Sequence, residues 1–400
     1  MNVRLPAAGN PRPWGDRGPG GSPARAVVSG MLASVPAQGG ATWAVLQYIL
    51  GLQQLGFQTV FVEETSPEKL RPAGGPLEET EAGRWFSSVV TEFGLQQTAC
   101  LVVSGTRKTL GMPYGDLLDQ LAESDLLLNL SGVLKDPELL EACKHRVYLD
   151  LDPVFTQLWD LQGQDVGLHG HDRFATVGLG IGAEQCPVPT GGREWITTLP
   201  PVLLDFWPLL PPAPAGPFTT IGNWRGYGSV EHEGVAYGQK AHSMRKLIDL
   251  PERTREELVL AMAIHPAETR DLEALVGNGW KLVDPAAAST PHSYRDFIAS
   301  SKGEFSAAKS GYVDSRCGWF SDRTACYLAS GRPAVVEDTG AGSFVASGDG
   351  FLTFKDATGA RDAIEEVAAD YPRHARAARE FAQEYLDSRI VLSRLMESVL

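Results

Sequence analysis

The sequence predicts an α/β protein built from two doubly wound units, and three observations support this prediction. Short apolar strands alternate with helical segments twice along the chain, before and after a proline-rich stretch at 199–217. Such alternation is typical of parallel sheets covered by helices. At 400 residues the chain is longer than one hydrophobic core usually serves. We therefore expect two domains with a site in the cleft between them.

The first half of the chain starts with a strand, loop, helix, strand unit. Strands are predicted at 26–29 and 59–62, with a helix between them whose apolar residues recur at helical spacing. The alternation continues to about residue 150, with further elements in this order: a helix at 79–93, a strand at 99–103, a helix at 114–122, and strands at 126–130 and 146–150. This pattern predicts a parallel, doubly wound sheet.

The second half repeats the pattern after the proline-rich stretch, which we interpret as the linker because proline excludes regular structure. The predicted elements are strands at 218–221, 258–264 and 280–283, helices at 268–276 and 294–300, and a helical segment at 375–400. The expected organisation is a disordered tail at 1–24, domains at 25–212 and 213–372, and closing helices at 373–400.

Composition excludes several classes of protein. No apolar run approaches the roughly 18 residues that a membrane span needs. The five scattered cysteines favour neither a zinc site nor a disulfide framework, and the N-terminal residues lack the apolar core of a secretory signal, so we expect a cytoplasmic protein. A net charge of -14 argues against general nucleic-acid binding. No nucleic-acid partner and no membrane span are expected, and the oligomeric state stays open.

The most specific segment is 317–336, which contains the run Gly318, Trp319, Phe320, Ser321, Asp322, Arg323. Ser321 is the predicted N-cap of a short helix, Gly331 ends that helix, and a proline and a buried strand follow. This order presents unpaired backbone amides at the helix start, where an anion is favoured.

From Ser321 to Gly331 the spacing resembles that of the GT-B glycosyltransferases, in which a helix closed by Gly-x-Pro and an apolar strand binds the donor diphosphate. The resemblance implies two Rossmann-like domains facing across a cleft, with the C-terminal helix returning to the N-terminal domain. It also implies transfer of a sugar from a nucleoside diphosphate sugar, of the UDP or dTDP type, to a small-molecule acceptor. The nucleotide sugar is then a co-substrate, and no cofactor is expected.

The resemblance has one departure at the ribose. Where family members carry a ribose-binding glutamate on this helix, the chain has Cys326. Asp322 is a candidate for that role, and the alternative is that Asp322 only favours the helix N-terminus through the helix dipole.

Other donor-binding residues follow from the same resemblance. Gly39 and Gly40 match the family's glycine loop, where the backbone approaches the donor phosphates. Arg225 and Lys240 are candidates for the phosphate-binding Arg and Lys, although their separation is longer than usual and Lys240 has a solvated surface position as the alternative. Glu304 is a candidate for sugar binding, with an ordinary exposed glutamate as the alternative.

The first domain supplies the candidate catalytic residues. Asp150 and Asp152 end a predicted strand, at the edge where α/β sheets bind ligands. His171 next to Asp172 offers an imidazole and a carboxylate, the minimum for a general base that deprotonates an acceptor hydroxyl. A surface-loop histidine without catalytic function is the alternative for His171. The remaining histidines show no metal-binding spacing, so no metal is expected.

Two other functions use the same scaffold and stay open at this point. A nucleotide-sugar epimerase of GT-B fold needs the diphosphate site and an acid-base pair but no acceptor. A non-catalytic nucleotide-sugar-binding protein needs the site alone, because a fold does not fix a function.

Overall fold

The computed structural model describes residues 24–400. The predicted tail at 1–24 therefore lies outside the described residues except for Ala24, which is buried. Among residues 24–400, no helix has both the length and the apolar character to cross a bilayer.

The N-terminal half of the chain, up to the proline-rich stretch, carries one large sheet. Its strands are β1 (Arg25–Ser29), β2 (Gln58–Thr65), β3 (Ala99–Val103), β4 (Thr109–Gly111), β5 (Leu126–Leu130), β6 (Arg146–Asp150), β7 (Arg173–Thr176) and β8 (Trp195–Thr197). Their spatial order is β4-β3-β2-β1-β5-β6-β7-β8, parallel except for the antiparallel pair of β3 with β4. The helices are α1 (Gly39–Gln54), α2 (Glu81–Glu92), α3 (Tyr114–Ala122), α4 (Pro137–Ala142) and α5 (Phe155–Leu161).

The C-terminal half, from Phe218 onward, carries a second sheet and a hairpin. Its strands are β9 (Phe218–Asn223), β10 (Val230–His232), β11 (Val235–Tyr237), β12 (Leu258–Ala263), β13 (Lys281–Leu282), β14 (Gly303–Ser306), β15 (Ala334–Glu337) and β16 (Phe351–Phe354). The six-stranded sheet has the order β13-β12-β9-β14-β15-β16 with all strands parallel, and β10 and β11 form a separate antiparallel hairpin.

Within the described residues, the C-terminal half contains nine α-helices, and the last of them leaves its sheet. They are α6 (Lys240–Lys246), α7 (Leu250–Arg253), α8 (Thr269–Gly277), α9 (Pro291–Ser300), α10 (Ser310–Ser315), α11 (Asp322–Ala329), α12 (Ala357–Ala369), α13 (Tyr371–Phe381) and α14 (Ser388–Val399). Helix α14 packs against α1, where the Ser388 hydroxyl donates to Gln54 Oε1 at 3.1 Å. The C-terminal helix thus returns to the first sheet, as the sequence predicts.

Each sheet has one point at which the strand order reverses. In the first sheet this point lies between β1 and β5, and in the second it lies between β9 and β14. Crevices beyond the carboxyl ends of strands at such a switch point are the usual ligand sites of open α/β sheets. The segments that follow β1 and β9 are therefore the places to look for a site.

The two halves also contact each other directly. Trp43 Nε1 on α1 donates to the Pro291 carbonyl at the start of α9 at 2.9 Å. On another part of the interface, the amides of Leu179 and Gly180 donate to the carbonyls of Gly318 and Cys317 at 3.2 and 2.7 Å. The halves are thus closed onto each other in this structure.

The predicted fold class is confirmed, with local differences. The segment predicted as helical at 375–400 contains the end of α13, a π-helical turn at Ala382–Leu386 and α14, which Asp387 caps. The strands β7 and β8 and the hairpin were not predicted, because each has only three or four residues and no clear alternation. The domain limits at residues 212 and 372 stay a prediction.

Gly303 in β14 is required by close packing. A Cβ atom there would lie 2.5 Å from the Pro333 carbonyl oxygen and 3.1 Å from the Phe218 ring. We expect Gly303→Ala to lower the free energy of unfolding by about 1–3 kcal/mol, because a backbone carbonyl cannot move aside easily. Urea denaturation measures this. The control is Gly228→Ala, because a Cβ atom added at Gly228 would have no neighbouring heavy atom within 4 Å. An equal loss of stability in this variant would contradict the packing argument.

Candidate functional site

A cavity of about 550 Å³ lies between the two halves at their switch points. The N-terminal half contributes the segment that enters α1, and the C-terminal half contributes the ends of β9 and β12, the segment after β13 and the start of α11. The lining residues are Pro36, Ala37, Gln38, Gly39, Gly40, Ala41, Ile221, Gly222, Asn223, Ala261, Ala263, Pro285, Ala286, Ala288, Ser289, Tyr294, Asp322 and Arg323. This size suits a small-molecule ligand.

The cavity brings together four of the predicted donor-binding residues. Gly39 and Gly40 begin α1, and Asp322 and Arg323 begin α11, on opposite sides of the space. Helix α1 has no acidic residue in its first turn, whereas α11 begins with Asp322, whose carboxylate opposes an anion, followed by Arg323, whose guanidinium favours one. Two helix N-termini therefore border one cavity, and the dipole at a helix N-terminus attracts negative charge.

Gly39 and Gly40 also have a packing reason to be glycine. A Cβ atom on Gly39 would lie 2.3 Å from the Thr290 carbonyl oxygen, and one on Gly40 would lie 2.9 Å from the Tyr294 ring. Close contact between the halves explains these glycines without a ligand. Their predicted role in donor binding stays a prediction.

Arg323 is held in place by three contacts inside the C-terminal half. Its Nε donates to Glu304 Oε1 at 2.7 Å, its Nη1 donates to the Ile221 carbonyl at 2.7 Å, and its Nη2 donates to the Ser306 hydroxyl. Burial lowers the pKa of Arg323, but nearby Glu304 outweighs this and raises the pKa above its usual range. The guanidinium therefore stays charged and fixes the start of α11 to β9 and β14.

Glu304 is fully buried in β14, and not exposed in a loop. One carboxylate oxygen accepts from Arg323, while Oε2 has no hydrogen-bond partner among residues 24–400. Sugar binding by Glu304 stays a prediction, and its contact in this structure is the ion pair with Arg323.

Lys240 is buried in the first turn of α6, so the solvated surface position is not what the structure shows. Its Nζ has no hydrogen-bond partner within the described part of the chain. Burial and the nearby Arg323 charge lower the pKa of Lys240 well below its usual value, although Glu304 and Glu337 oppose this shift. Lys240 is not among the residues that line the cavity, and its buried amine is costly unless a partner is supplied.

Arg225 does not line the cavity. Its Nε donates to Glu268 Oε1 at 2.5 Å near the surface. The β10–β11 hairpin lies between Arg225 and Lys240 in the chain, which explains their long separation. Phosphate binding by Arg225 stays a prediction that would require this pair to break.

Gly318, Trp319 and Phe320 contact protein in this structure. Gly318 has φ of 73° and lies so close to the N-terminal half that a Cβ atom would come within 2.7 Å of the Gly180 nitrogen. Trp319 stacks on Tyr312 at a ring distance of 4.5 Å, and Phe320 stacks on Phe381 at 6.0 Å. The N-cap is as predicted, since the Ser321 side chain accepts from the Arg323 amide at 3.2 Å.

Asp150 is fully buried and accepts four hydrogen bonds. The donors are the Thr156 and Thr176 hydroxyls, the Gln157 amide and the backbone nitrogen of Asp152, at 2.7 to 2.9 Å. These contacts give Asp150 a structural task, to hold the loop that carries Asp152. The catalytic role predicted for Asp150 gains no support from this environment.

Asp152 binds the C-terminal half instead of open solvent. Its carboxylate accepts from Lys309 Nζ at 2.8 and 2.9 Å and from the hydroxyls of Tyr227 and Tyr312. The predicted catalytic role of Asp152 is untested, and the contact seen here is an interdomain one.

His171 and Asp172 are neighbours in sequence but do not pair. Asp172 forms bonds to Arg146 at 2.9 and 3.3 Å, and His171 Nε2 lies 3.1 Å from Asn129 Nδ2. Burial lowers the pKa of His171, and neither residue lines the cavity. General-base catalysis by this pair stays a prediction.

Fourteen of the eighteen lining residues were not predicted as site residues, among them Asn223, Ala263 and Tyr294. Asn223 and Ala263 end β9 and β12, and Tyr294 lies in the first turn of α9. The signal that could have found Asn223 and Ala263 is their place at the carboxyl end of a predicted strand. Tyr294 has no such signal.

One group of side chains in the described part of the chain has metal-binding proximity, namely Asp349, Glu366 and His374. The Arg373 guanidinium lies among them, 2.7 Å from Asp349 and 3.1 Å from His374 Nε2. The positively charged Arg373 side chain already lies between these groups, so they leave no space for a metal ion.

No family model and no curated protein sequence matches the chain. Solved structures do match it over most of its length. An α-glucosyltransferase in complex with UDP-glucose and DNA containing an abasic site has 12% sequence identity and a TM-score of 0.59, covering 94% of this chain and 99% of its own. The chain has the GT-B fold.

Further structures support the GT-B fold. Sucrose-phosphate synthase from Thermosynechococcus elongatus has 14% identity and a TM-score of 0.55, and AviGT4, a glycosyltransferase involved in avilamycin A biosynthesis, has 13% and 0.55. Both matches cover 94% of this chain, with 98% of the sucrose-phosphate synthase chain and 97% of the AviGT4 chain. The resemblance drawn from the segment Ser321 to Gly331 is thereby confirmed at the level of the fold.

The expectation that nucleic acid is excluded as a partner is wrong. Several of the similar α-glucosyltransferases are complexes with DNA, including one with a central A:G mismatch. The physical reason is that net charge averages over the whole surface, whereas a nucleic acid contacts one local face. A charge of -14 therefore excludes no such partner for a protein with the GT-B fold.

The Arg323–Glu304 pair gives a stability prediction for this site. We expect Glu304→Gln and Arg323→Met each to lower the free energy of unfolding by about 3 kcal/mol, because each leaves a buried group without its partner. The double variant should lose clearly less than the sum. A double-mutant cycle by chemical denaturation checks this, and strict additivity would contradict the pairing.

Proposed function

We propose that the chain is a glycosyltransferase that takes a sugar from a nucleoside diphosphate sugar, with UDP or dTDP as the nucleotide. One observation carries this proposal: a cavity of about 550 Å³ lies at the switch points of both sheets, between the starts of α1 and α11. Similar structures bound to UDP or UDP-glucose support it.

The proposed donor pose follows from the lining of the cavity. Small residues at the ends of β9 and β12, among them Gly222, Ala261 and Ala263, leave room for a nucleoside. The diphosphate would then lie toward the start of α11 and Lys240, because these supply the amides and the unpartnered amine. Such groups stabilise the negative charge that develops on the leaving diphosphate.

The proposed acceptor is a small molecule with a reactive hydroxyl, bound on the side of the N-terminal half. Closure of the halves would keep water from the donor, which water otherwise hydrolyses. DNA belongs in the same acceptor screen, because similar α-glucosyltransferases are complexes with DNA.

The direct test is calorimetric titration with UDP, dTDP and ADP, followed by assays of UDP-sugar consumption with small hydroxyl compounds and with DNA. Binding of UDP or dTDP and acceptor-dependent release of the nucleotide are expected. Binding without turnover for any acceptor would point to a binding protein, and an epimer formed from donor alone would point to an isomerase. Absence of binding to every nucleotide would overturn the donor assignment.

Asp322 gives a test of the ribose contact. A carboxylate at the cavity wall accepts hydrogen bonds from ribose hydroxyls, and losing such charged bonds costs about tenfold in affinity. We expect Asp322→Asn to weaken UDP binding by about that factor while leaving 2′,3′-dideoxyuridine diphosphate almost unchanged. Equal effects on both nucleotides in calorimetry would favour the alternative, in which Asp322 acts only on the helix dipole.

Lys240 gives a test of the diphosphate contact. Its pKa is low in the ligand-free protein and should rise beside a diphosphate, so UDP binding should take up a proton. Affinity should therefore fall as the pH rises above the ligand-free pKa of Lys240. Calorimetry in buffers of different ionisation enthalpy, at pH above about 7, where the terminal phosphate is ionised, measures this uptake.

Lys240→Met should abolish that proton uptake and weaken UDP binding, while uridine binding should change little. Proton uptake that persists in Lys240→Met would assign the titration to another group.

A further inference from the structure

Lys309 lies in a box built from both halves of the protein. Its Nζ is bound to the Asp152 carboxylate at 2.8 and 2.9 Å and lies 4.9, 4.4 and 5.1 Å from the ring centres of Phe155, Tyr227 and Tyr312. Asp152 and Phe155 belong to the N-terminal half, and the other three belong to the C-terminal half. The Lys309 ammonium group therefore has its carboxylate partner, Asp152, only when the two halves are in contact.

The tyrosines strengthen this box. Both hydroxyls donate to Asp152, and burial together with the Asp152 charge raises the pKa of Tyr227 and of Tyr312. They therefore stay protonated and remain donors. With the Lys309 and Asp152 side chains only 22% and 25% exposed, the ion pair is partly shielded from water. A shielded pair of this kind is worth more than a surface salt bridge.

A strap of residues 226–238 carries Tyr227 and the β10–β11 hairpin over to the N-terminal half. The hairpin turns at Glu233 and Gly234, both with positive φ, and its Glu231 carbonyl accepts from Gln162 Nε2 at 2.9 Å. The strap leads directly into α6, whose first residue is the buried Lys240. Lys309 is also one of the charges that lower the pKa of Lys240, so the box adjoins that amine.

The loop that presents Asp152 and Phe155 is strained. Val154 lies between them with φ of 77°, a conformation that a β-branched residue rarely adopts, and it is fully buried. The loop is held by Asp150, which accepts from the Asp152 backbone nitrogen at 2.9 Å. Such strain persists only where the surrounding contacts impose it.

We propose that Asp152, Phe155, Tyr227, Lys309 and Tyr312 form a latch that holds the two halves closed, and that release of this latch opens the way to Lys240. Lys240 lines neither the cavity of about 550 Å³ nor the space of about 20 Å³ beside the start of α11 and Glu337, which has room for about one water molecule. A sugar diphosphate is far larger. The closing function rests on these contacts alone, and the access function rests on the proposed nucleotide-sugar activity.

Hydrogen exchange tests the closing function in the ligand-free protein. The Leu179 and Gly180 amides donate across the interface, so they are protected only while the halves are closed. We expect Lys309→Met and Asp152→Asn each to speed their exchange by about tenfold, while strand β1 stays protected. Lys281→Met is the matched control, because its ion pair with Glu257 lies within the C-terminal half and is exposed.

Unchanged exchange at Leu179 and Gly180 in both variants would overturn the latch, and so would equal acceleration in strand β1, which indicates general destabilisation. If Lys309→Met fails to fold, exchange at Leu179 and Gly180 in the nearly isosteric variant Asp152→Asn tests the closing function. Stopped-flow binding of UDP tests the access function: a faster association rate in Asp152→Asn is expected, and an unchanged rate would overturn it. If the wild-type protein does not bind UDP, the proposed donor is wrong, but the hydrogen-exchange result still tests the closing function.

Discussion

The ion pair between Arg323 and Glu304 is the constraint on which the site depends. Arg323 ties the start of α11 to β14 through Glu304 and Ser306, and to β9 through the Ile221 carbonyl. Because β9 and β14 flank the switch point, this one side chain sets where the helix start lies relative to the strand ends. Burying an arginine is tolerated only when its charge and donors are matched, so the geometry around it is closely determined.

Much of the fold is predictable because its central strands carry their own signal. Runs such as 99–103 and 126–130 are buried along their whole length, as strands covered by helices on both faces must be. The strands β7 and β8 carry no such signal, since they have only four and three residues, and β8 pairs with β7 alone at the edge of the sheet. The same holds for the hairpin of the strap, whose turn at Glu233 and Gly234 is its only local mark.

The site is less predictable than the fold, because side-chain partners come from distant segments. The ends of β9 and β12 line the cavity, whereas Asp150 and Asp152 at the end of β6 do not, and position alone does not tell whether a carboxylate is free. Asp150 is saturated by Thr156, Gln157 and Thr176, and Asp152 is taken by Lys309, 157 residues away in the chain. The spacing from Ser321 to Gly331 did predict the N-cap at Ser321 and the helix that follows it, because one short segment contains all of these residues.

The charges around the cavity explain how an acidic protein can bind an anionic ligand. Arg323 is already paired with Glu304, Arg225 is paired with Glu268, and the start of α11 carries the carboxylate of Asp322. The Lys240 amine has no hydrogen-bond partner among the described residues, and burial and the nearby Arg323 charge lower its pKa. An anion that displaces the surrounding contacts would restore that charge in place, so attraction arises locally and only on binding. Because the Lys309 charge also contributes to the lowered pKa of Lys240, the proposed latch and the proposed anion site are electrostatically coupled.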